Sequence, residues 1–459
     1  MLLAANIFYC LSEGIICFIA VLSVSFSAYI SSISIEKRKS RRALILGILL
    51  TLSSLVSYKL ASAFGGGGVD MSGLGLGFYS LSALGYLVDL YRGKIAREKS
   101  FVRLFSFLSF FPCLRLGPIS RYERLVPQLL APHAPSWDNI MSGFIRILWG
   151  YFKKIVIADR AIIALGVLVA SPQEYGGGYA FFLIILYSVI IYADFTGGID
   201  IALGVGRMLD ITLAENFDRP FSSSSVREYW RRWHITLGAF FSDYVFYPLS
   251  VSKPIQGLSK KIRRSGRKKL GKRLPIYLAL TLTWLLTGAW HGLGANFLTW
   301  GLANAAVIIV AQELSPFFKR ARSNCPHSRR ARVRHLLAAA RTFFIIGALR
   351  LFDLWSDPVT ALRAVASIFT DVNGWARLFS GGIYSLGLSA PDRLVIICGV
   401  ALIFAVSRAD WARGDRAREI ISRRPLAATA CAALLILITA IFGVYGEGFD
   451  RSSFIYSQF

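Results

Sequence analysis

Apolar runs of membrane-spanning or near-spanning length recur along the whole chain, separated by short polar or basic stretches. They fall at residues 7–33, 43–64, 74–90, 155–170, 180–193, 276–310, 335–351, 394–406 and 426–444. The pattern predicts an all-α polytopic membrane protein of one domain over residues 1–459, with roughly 9–11 transmembrane or re-entrant helices. The first run has no basic stretch ahead of it and no small-residue cleavage site behind it, so it is expected to be a retained span. No sequence repeat or inverted pair of halves is visible.

Five basic blocks punctuate these runs: 36–42, 92–103, 253–273, 319–335 and 408–424. Short Lys/Arg-rich connections mark the cytoplasmic side, and placing all five there fixes parity. The chain must then cross an even number of times between residues 273 and 319. At about 1.5 Å per residue and a core of about 30 Å, those residues suffice for two crossings with a very tight turn or for one re-entrant hairpin. His291, in "GAWHGLGANF", lies near the middle of that stretch, deep in the membrane or at its far side. Gly288, Gly292 and Gly294 permit the irregular backbone that is tolerated at such depth only against protein or water. The same parity sends residues 357–391 and the C-terminal "FIYSQF" outside, and makes Gly65–Gly68 an outer turn.

Residues 216–252 break the pattern. Aromatics there alternate with Arg227, Glu228, Arg231, Arg232, His234 and Asp243, too many charges for a simple span. An amphipathic, interfacial or re-entrant helix starting in the Ser222–Ser225 run, where a serine can cap it, is expected.

Composition agrees with a membrane class: 55% of residues are hydrophobic, 17% are charged, and the mean hydropathy is +0.53. A net charge of +26 would suit nucleic-acid binding, but its distribution into short blocks between apolar runs is topological, and no nucleic-acid partner is expected. Membrane lipids are, because basic loops meet anionic headgroups. The six cysteines, at 10, 17, 113, 325, 398 and 431, stand singly and predict neither a disulfide frame nor a metal site.

Of five histidines, His133 lies in a Pro-rich loop, and His327 and His335 lie in a basic one, where solvated side chains are expected. His234 and His291 each follow a tryptophan inside a membrane-associated segment. Polar groups at such depth are costly and tend to mark sites. No further ligands at useful spacing accompany them, so zinc is not expected. A largely neutral imidazole can take the proton of a hydroxyl as its oxygen attacks an activated acyl group. The absence of a GxSxG elbow leaves a serine nucleophile of hydrolase type unsupported.

Several segments carry a resemblance. They are "LGLGFYSLSALGYLVDLYRGKI" (74–95), "FPCLRLGPISRYERLVPQL" (111–129), "WGYFKKIVIADR" (149–160), "YADFTGGIDIALGVGRMLDITLAENFDRPF" (192–221), "SVREYWRRWHITLGAFFSDYVFYPL" (225–249), "WLLTGAWHGLGANFLTWG" (284–301) and "FIYSQF" (454–459). In order and combination the chain resembles the membrane-bound O-acyltransferase family, in the branch of the alginate O-acetylation membrane proteins.

The resemblance implies helices around a central funnel in a bacterial cell membrane. It also implies transfer of an acyl group, usually acetyl, from a cytoplasmic thioester (acetyl-CoA or an acyl carrier) toward a hydroxyl of an exported polysaccharide. No bound cofactor is implied; the thioester is a substrate. An extracytoplasmic acyltransferase or esterase-like partner would complete delivery to the glycan. His291 takes the position of the membrane-embedded active-site histidine and His234 that of the supporting one. Asn216, Asp218, Arg231 and Trp290 fall in motif positions and are carried as candidate substrate-binding residues.

Departures exist: the chain starts near the family's second membrane segment, so it is expected to be short by about one span. Ala295 stands where the family often has Trp, and Asn304-Ala305 where it often has His-Gly. "DFTGG" and "LRLGPI" also carry substitutions. Three other readings stay open: D-alanyl transfer to teichoic acid by a related branch, a glycan or lipid transporter, and an inactive scaffold.

Overall fold

The computed structural model describes residues 2–64, 75–134, 136–323, 328–413, 421 and 423–445. The expected turn at Gly65–Gly68, Cys325, His327 and the terminal "FIYSQF" lie outside the described residues. Everything described is helix and connection; the sole β pairing among these residues is an isolated bridge between Phe217 and Trp233. The protein is an all-α polytopic membrane protein.

In chain order the helices are α1 (Leu2–Ser12), α2 (Ile15–Arg38), α3 (Arg41–Phe64), α4 (Leu76–Tyr91), α5 (Phe101–Leu108), α6 (Tyr122–Leu130), α7 (Trp137–Tyr151), α8 (Asp159–Ala170) and α9 (Gly178–Met208). There follow α10 (Val226–Arg232), α11 (Ile235–Phe241), α12 (Tyr247–Ser250), α13 (Lys253–Arg264), α14 (Lys268–His291) and α15 (Ala295–Ser323). The last are α16 (Ser328–Arg350), α17 (Pro358–Thr370), α18 (Val372–Phe379), α19 (Ala390–Arg413) and α20 (Pro425–Phe442).

Seven described helical stretches are long and apolar enough to cross a membrane: Ile15–Arg38, Arg41–Leu60, Gly178–Met208, Ala295–Ser315, Arg332–Asp353, Ala390–Ala409 and Pro425–Phe442. The expected first run is not one helix, because Gly14, at φ 113°, separates α1 from α2. The run expected at 276–310 is two helices joined by residues 292–294. The polar stretch 357–391 holds α17 and α18.

Residues 1–163, 189–215 and 388–459 form one compact unit, and residues 164–188 and 216–387 form a second. In the first, α7 continues through a π-helical turn, Phe152–Ala158, into α8. Its core gathers Ile145, Phe152, Val156 and Ile157 with Ala193, Ile403, Ala428, Ala432 and Leu435. Glycines set how close α7 and α9 come: a Cβ on Gly143 would sit 2.5 Å from the Gly204 carbonyl oxygen, and one on Gly150 2.6 Å from that of Gly197. Buried charges on these helices are paired. Lys153 Nζ donates to Thr196 Oγ1 (2.8 Å) and Asp200 (2.6 Å), and Lys154 Nζ lies 2.7 Å from both Asp194 and Asp159. Arg146 bridges Asp200 and Glu215.

In the second unit the amphipathic segment is broken into short pieces. α10 starts where a serine cap was expected: Ser225 Oγ accepts from the Glu228 N–H, and the Glu228 carboxylate accepts from the Ser224 N–H. Such reciprocal capping satisfies helix-end donors that would otherwise be orphaned. Instead of one longer helix, the chain stops at Arg232, extends at Trp233 and restarts as α11 after His234, because His234 adopts a left-handed conformation (φ 47°, ψ 55°). A π-helical turn, Ser242–Phe246, leads into α12.

Two histidines expected to be solvated have partners. His133 Nε2 is 2.7 Å from the Gln128 carbonyl oxygen, and His335 Nδ1 is 2.8 Å from Ser224 Oγ. His133 is half-buried, whereas His335 is exposed and keeps its access to solvent beside that contact.

Candidate active site

The site is built within the second unit by the α14–α15 hairpin, by α10 and its link to α11, and by the end of α16. The hairpin closes because glycines let its arms touch. A Cβ on Gly288 would lie 2.4 Å from the Phe297 carbonyl oxygen, and one on Gly301 2.4 Å from that of Trp284. His291 is therefore the last residue of α14, at the bend, and only 8% exposed. Its ring is edge-on to Trp300 (centroids 5.0 Å) and to Trp290 (4.8 Å), and roughly parallel to Phe297 (6.4 Å).

His234 also lies against Trp290, at 6.3 Å between centroids, and is 2% exposed. Both imidazoles thus pack on the same indole. A non-glycine residue in the left-handed region costs about 1–3 kcal/mol and persists only where its surroundings over-determine it. Here they do. The Ile235 N–H donates to the Asn216 carbonyl (2.9 Å), the Asp218 N–H donates to the Arg232 carbonyl (3.0 Å), and Phe217 pairs with Trp233 across the bridge. The fully buried Asn216 completes the hold, since its Oδ1 accepts from the Thr236 N–H (3.0 Å) and hydroxyl (2.7 Å). His234 Nδ1 lies 3.4 Å from that same oxygen. His234 falls outside the seven spans, and burial pushes its pKa down to about 3, so the ring stays neutral.

Asn216, His234, Trp290 and His291 come together as the sequence suggests. Asp218 and Arg231 do not join them: Asp218 is exposed and pairs with its neighbour Arg219 (3.1 Å), and Arg231 is exposed on α10. Other residues do join. Trp230 packs edge-on against Trp284 (4.9 Å) and Trp300 (5.7 Å), and its Nε1–H donates to Asn304 Oδ1 (3.1 Å). Asn304 Nδ2–H in turn donates to the Trp300 carbonyl (2.9 Å). For the tryptophans the sequence signal was their density in two segments, which an apolar core would also produce; Asn304 stood out only as a departure from the resembled family.

Chemically, the arrangement offers two imidazoles against an aromatic wall, a setting in which polar interactions are stronger than in water. Among the described residues no cluster of His, Cys, Asp or Glu could hold a metal ion.

Comparison with known proteins agrees with this architecture. The model of the membrane-bound O-acyltransferase family matches residues 15–347. The chain is 30% identical over 291 residues to the probable alginate O-acetylase AlgI of Pseudomonas aeruginosa, covering 59% of this chain and 52% of that protein. It is 30% identical over 268 residues to the peptidoglycan O-acetyltransferase of Helicobacter pylori (53% and 48%). To the teichoic acid D-alanyltransferase of Bacillus subtilis it is 26% identical over 246 residues (52% and 58%). The chain spans about half the length of the curated relatives it matches. With the hairpin and its buried histidine inside a match that runs over most of the sequence, the chain belongs to the membrane-bound O-acyltransferase family.

Proposed function

We propose that this protein moves an acetyl group from a cytoplasmic thioester to a hydroxyl of an extracytoplasmic polysaccharide, with His291 as general base. The observation that carries this reading is the burial of His291 at the bend of the α14–α15 hairpin, against the same indole as a second buried histidine.

In the step envisaged, the acceptor oxygen attacks the thioester carbonyl while its proton passes to the His291 imidazole. The C–S bond then breaks, and the imidazole returns the proton to the departing sulfur, giving an ester and a free thiol. Trp290, Trp300 and Phe297 flank the imidazole and limit competing water. His234, neutral and held by the Asn216 loop, supports the site as a hydrogen-bonding group and not as a cation.

A polysaccharide acceptor and an acetyl group are favoured because the relatives named for O-acetylation reach 30% identity, against 26% for the D-alanyltransferase of Bacillus subtilis. Delivery through an extracytoplasmic partner and an outward C-terminus belong to the same proposal. Inside-out membrane vesicles given radiolabelled acetyl-CoA test it. Base-labile label on lumenal glycan is expected. Label transfer only from carrier-bound D-alanine would replace the acetyl reading, and no transfer of either would refute the function.

A further inference from the structure

α16 ends on a buried cation that the reading above does not use. Arg350, 2% exposed, places its guanidinium carbon 4.1 Å from the ring centroid of Trp233 and 5.8 Å from that of Trp230. Its Nη2–H donates to the Tyr229 hydroxyl (3.0 Å), and the Asp353 carboxylate lies 3.9 Å from Nη1. Both distances to the indoles are within the range at which a cation is attracted to a ring face.

Stability alone does not account for this placement. Removing a guanidinium from water is costly, and apolar side chains of similar volume often replace buried ion pairs without loss. A cation at a helix C-terminus does favour the dipole, but that role is met equally well by a side chain reaching to solvent. What the buried position provides is contact with Tyr229 and Trp230 of α10 and with Trp233, the residue that leads into His234. Trp233 is the residue just before the left-handed one, and its ring is enclosed by Tyr229 (stacked, 5.7 Å), Phe217 (edge-on, 4.9 Å) and Arg350. Trp230 is the residue whose indole bonds Asn304 and packs on Trp300, next to His291.

We infer that Arg350 is a positioning residue: it clamps Trp233, and through it holds His234 in register with Trp290 and His291. The inference rests on the reading of His234 as the supporting histidine. The family match ends at residue 347, so Arg350 is assigned by geometry alone.

The test uses full-length protein in lipid nanodiscs, labelled with 15N-histidine, with the His234 resonance assigned by His234→Asn. Arg350→Met is expected to shift or broaden that resonance while leaving those of His133 and His335 in place. It should also lower base-labile acetyl on exported polysaccharide at least tenfold at matched accumulation. Arg350→Lys keeps the charge but loses the planar face, and should give a smaller shift, as should Tyr229→Phe. An unmoved His234 resonance in Arg350→Met overturns the inference, whatever happens to transfer. Should that variant not accumulate, unmoved resonances in both Arg350→Lys and Tyr229→Phe overturn it. If the transfer reaction itself proves absent, the resonance still decides the matter, so the two readings fail separately.

Discussion

Asn216 and Asp218 stand two residues apart, yet only Asn216 reaches the histidine pair. Buried, it accepts two hydrogen bonds from Thr236 and faces His234; Asp218 is exposed, and its carboxylate pairs with neighbouring Arg219. Asn216→Ala leaves the Thr236 donors without their acceptor, a loss of about 1–3 kcal/mol. Its thermal unfolding in detergent should therefore shift down by several degrees, with transfer falling alongside. Asp218→Ala and Arg231→Ala, at exposed positions, should change stability by no more than about 0.5 kcal/mol in the same assay. His234 and His291 were legible because a polar side chain in a membrane-associated segment demands an explanation, and Asn216 only as a motif position that the resemblance supplied. Arg350, Trp230 and Trp300 were not, since indoles in an apolar run look like ordinary core and a helix-end arginine looks like a solvated charge; Asn304 showed only as a departure from the resembled family.

The hairpin that carries His291 depends on two close approaches. Gly288→Ala or Gly301→Ala would drive a methyl to within 2.4 Å of a backbone oxygen on the opposite arm, where no flexible side chain can yield. Over-packing of this kind costs about 1–3 kcal/mol. Each variant should lower the yield of monodisperse protein in size-exclusion chromatography, whereas Gly257→Ala, with open space around it, should not. The turn itself was readable from three glycines around His291. The break at His234 was not, because left-handed backbone is uncommon for any residue but glycine and no glycine marks the place. Nor was the π-helical turn of "FKKIVIA", which allows two consecutive lysines to be buried against different carboxylates of α9. Lys154→Ala would strand Asp194 and Asp159 without their cation, a penalty of about 3–5 kcal/mol. That variant should fail to accumulate in membranes, as read by immunoblot, while Arg377→Ala, whose ion pair with Asp371 is solvent-accessible on both sides, should accumulate normally.

At the scale of the molecule, hydropathy displayed the class and most of the spans, and charge supplied an orientation that helix geometry does not contain. The block at 253–273 folds into α13, a short turn and the start of α14, tied by Ser259 Oγ–H donating to the Gly271 carbonyl (2.6 Å). The expectation that this basic block is cytoplasmic predicts that Ser265→Cys, exposed at that turn, gains maleimide labelling over wild type in inside-out vesicles and not in right-side-out ones. Labelling from the opposite face would invert the whole topology and with it the side from which the donor arrives. The account as a whole turns on one imidazole, and the most direct measurement is base-labile acetyl on exported polysaccharide in cells carrying wild type or His291→Ala at matched membrane abundance. The account predicts that ester formation is abolished in His291→Ala while the protein accumulates normally. Acylation persisting at the wild-type level would contradict the assignment of His291 as the base.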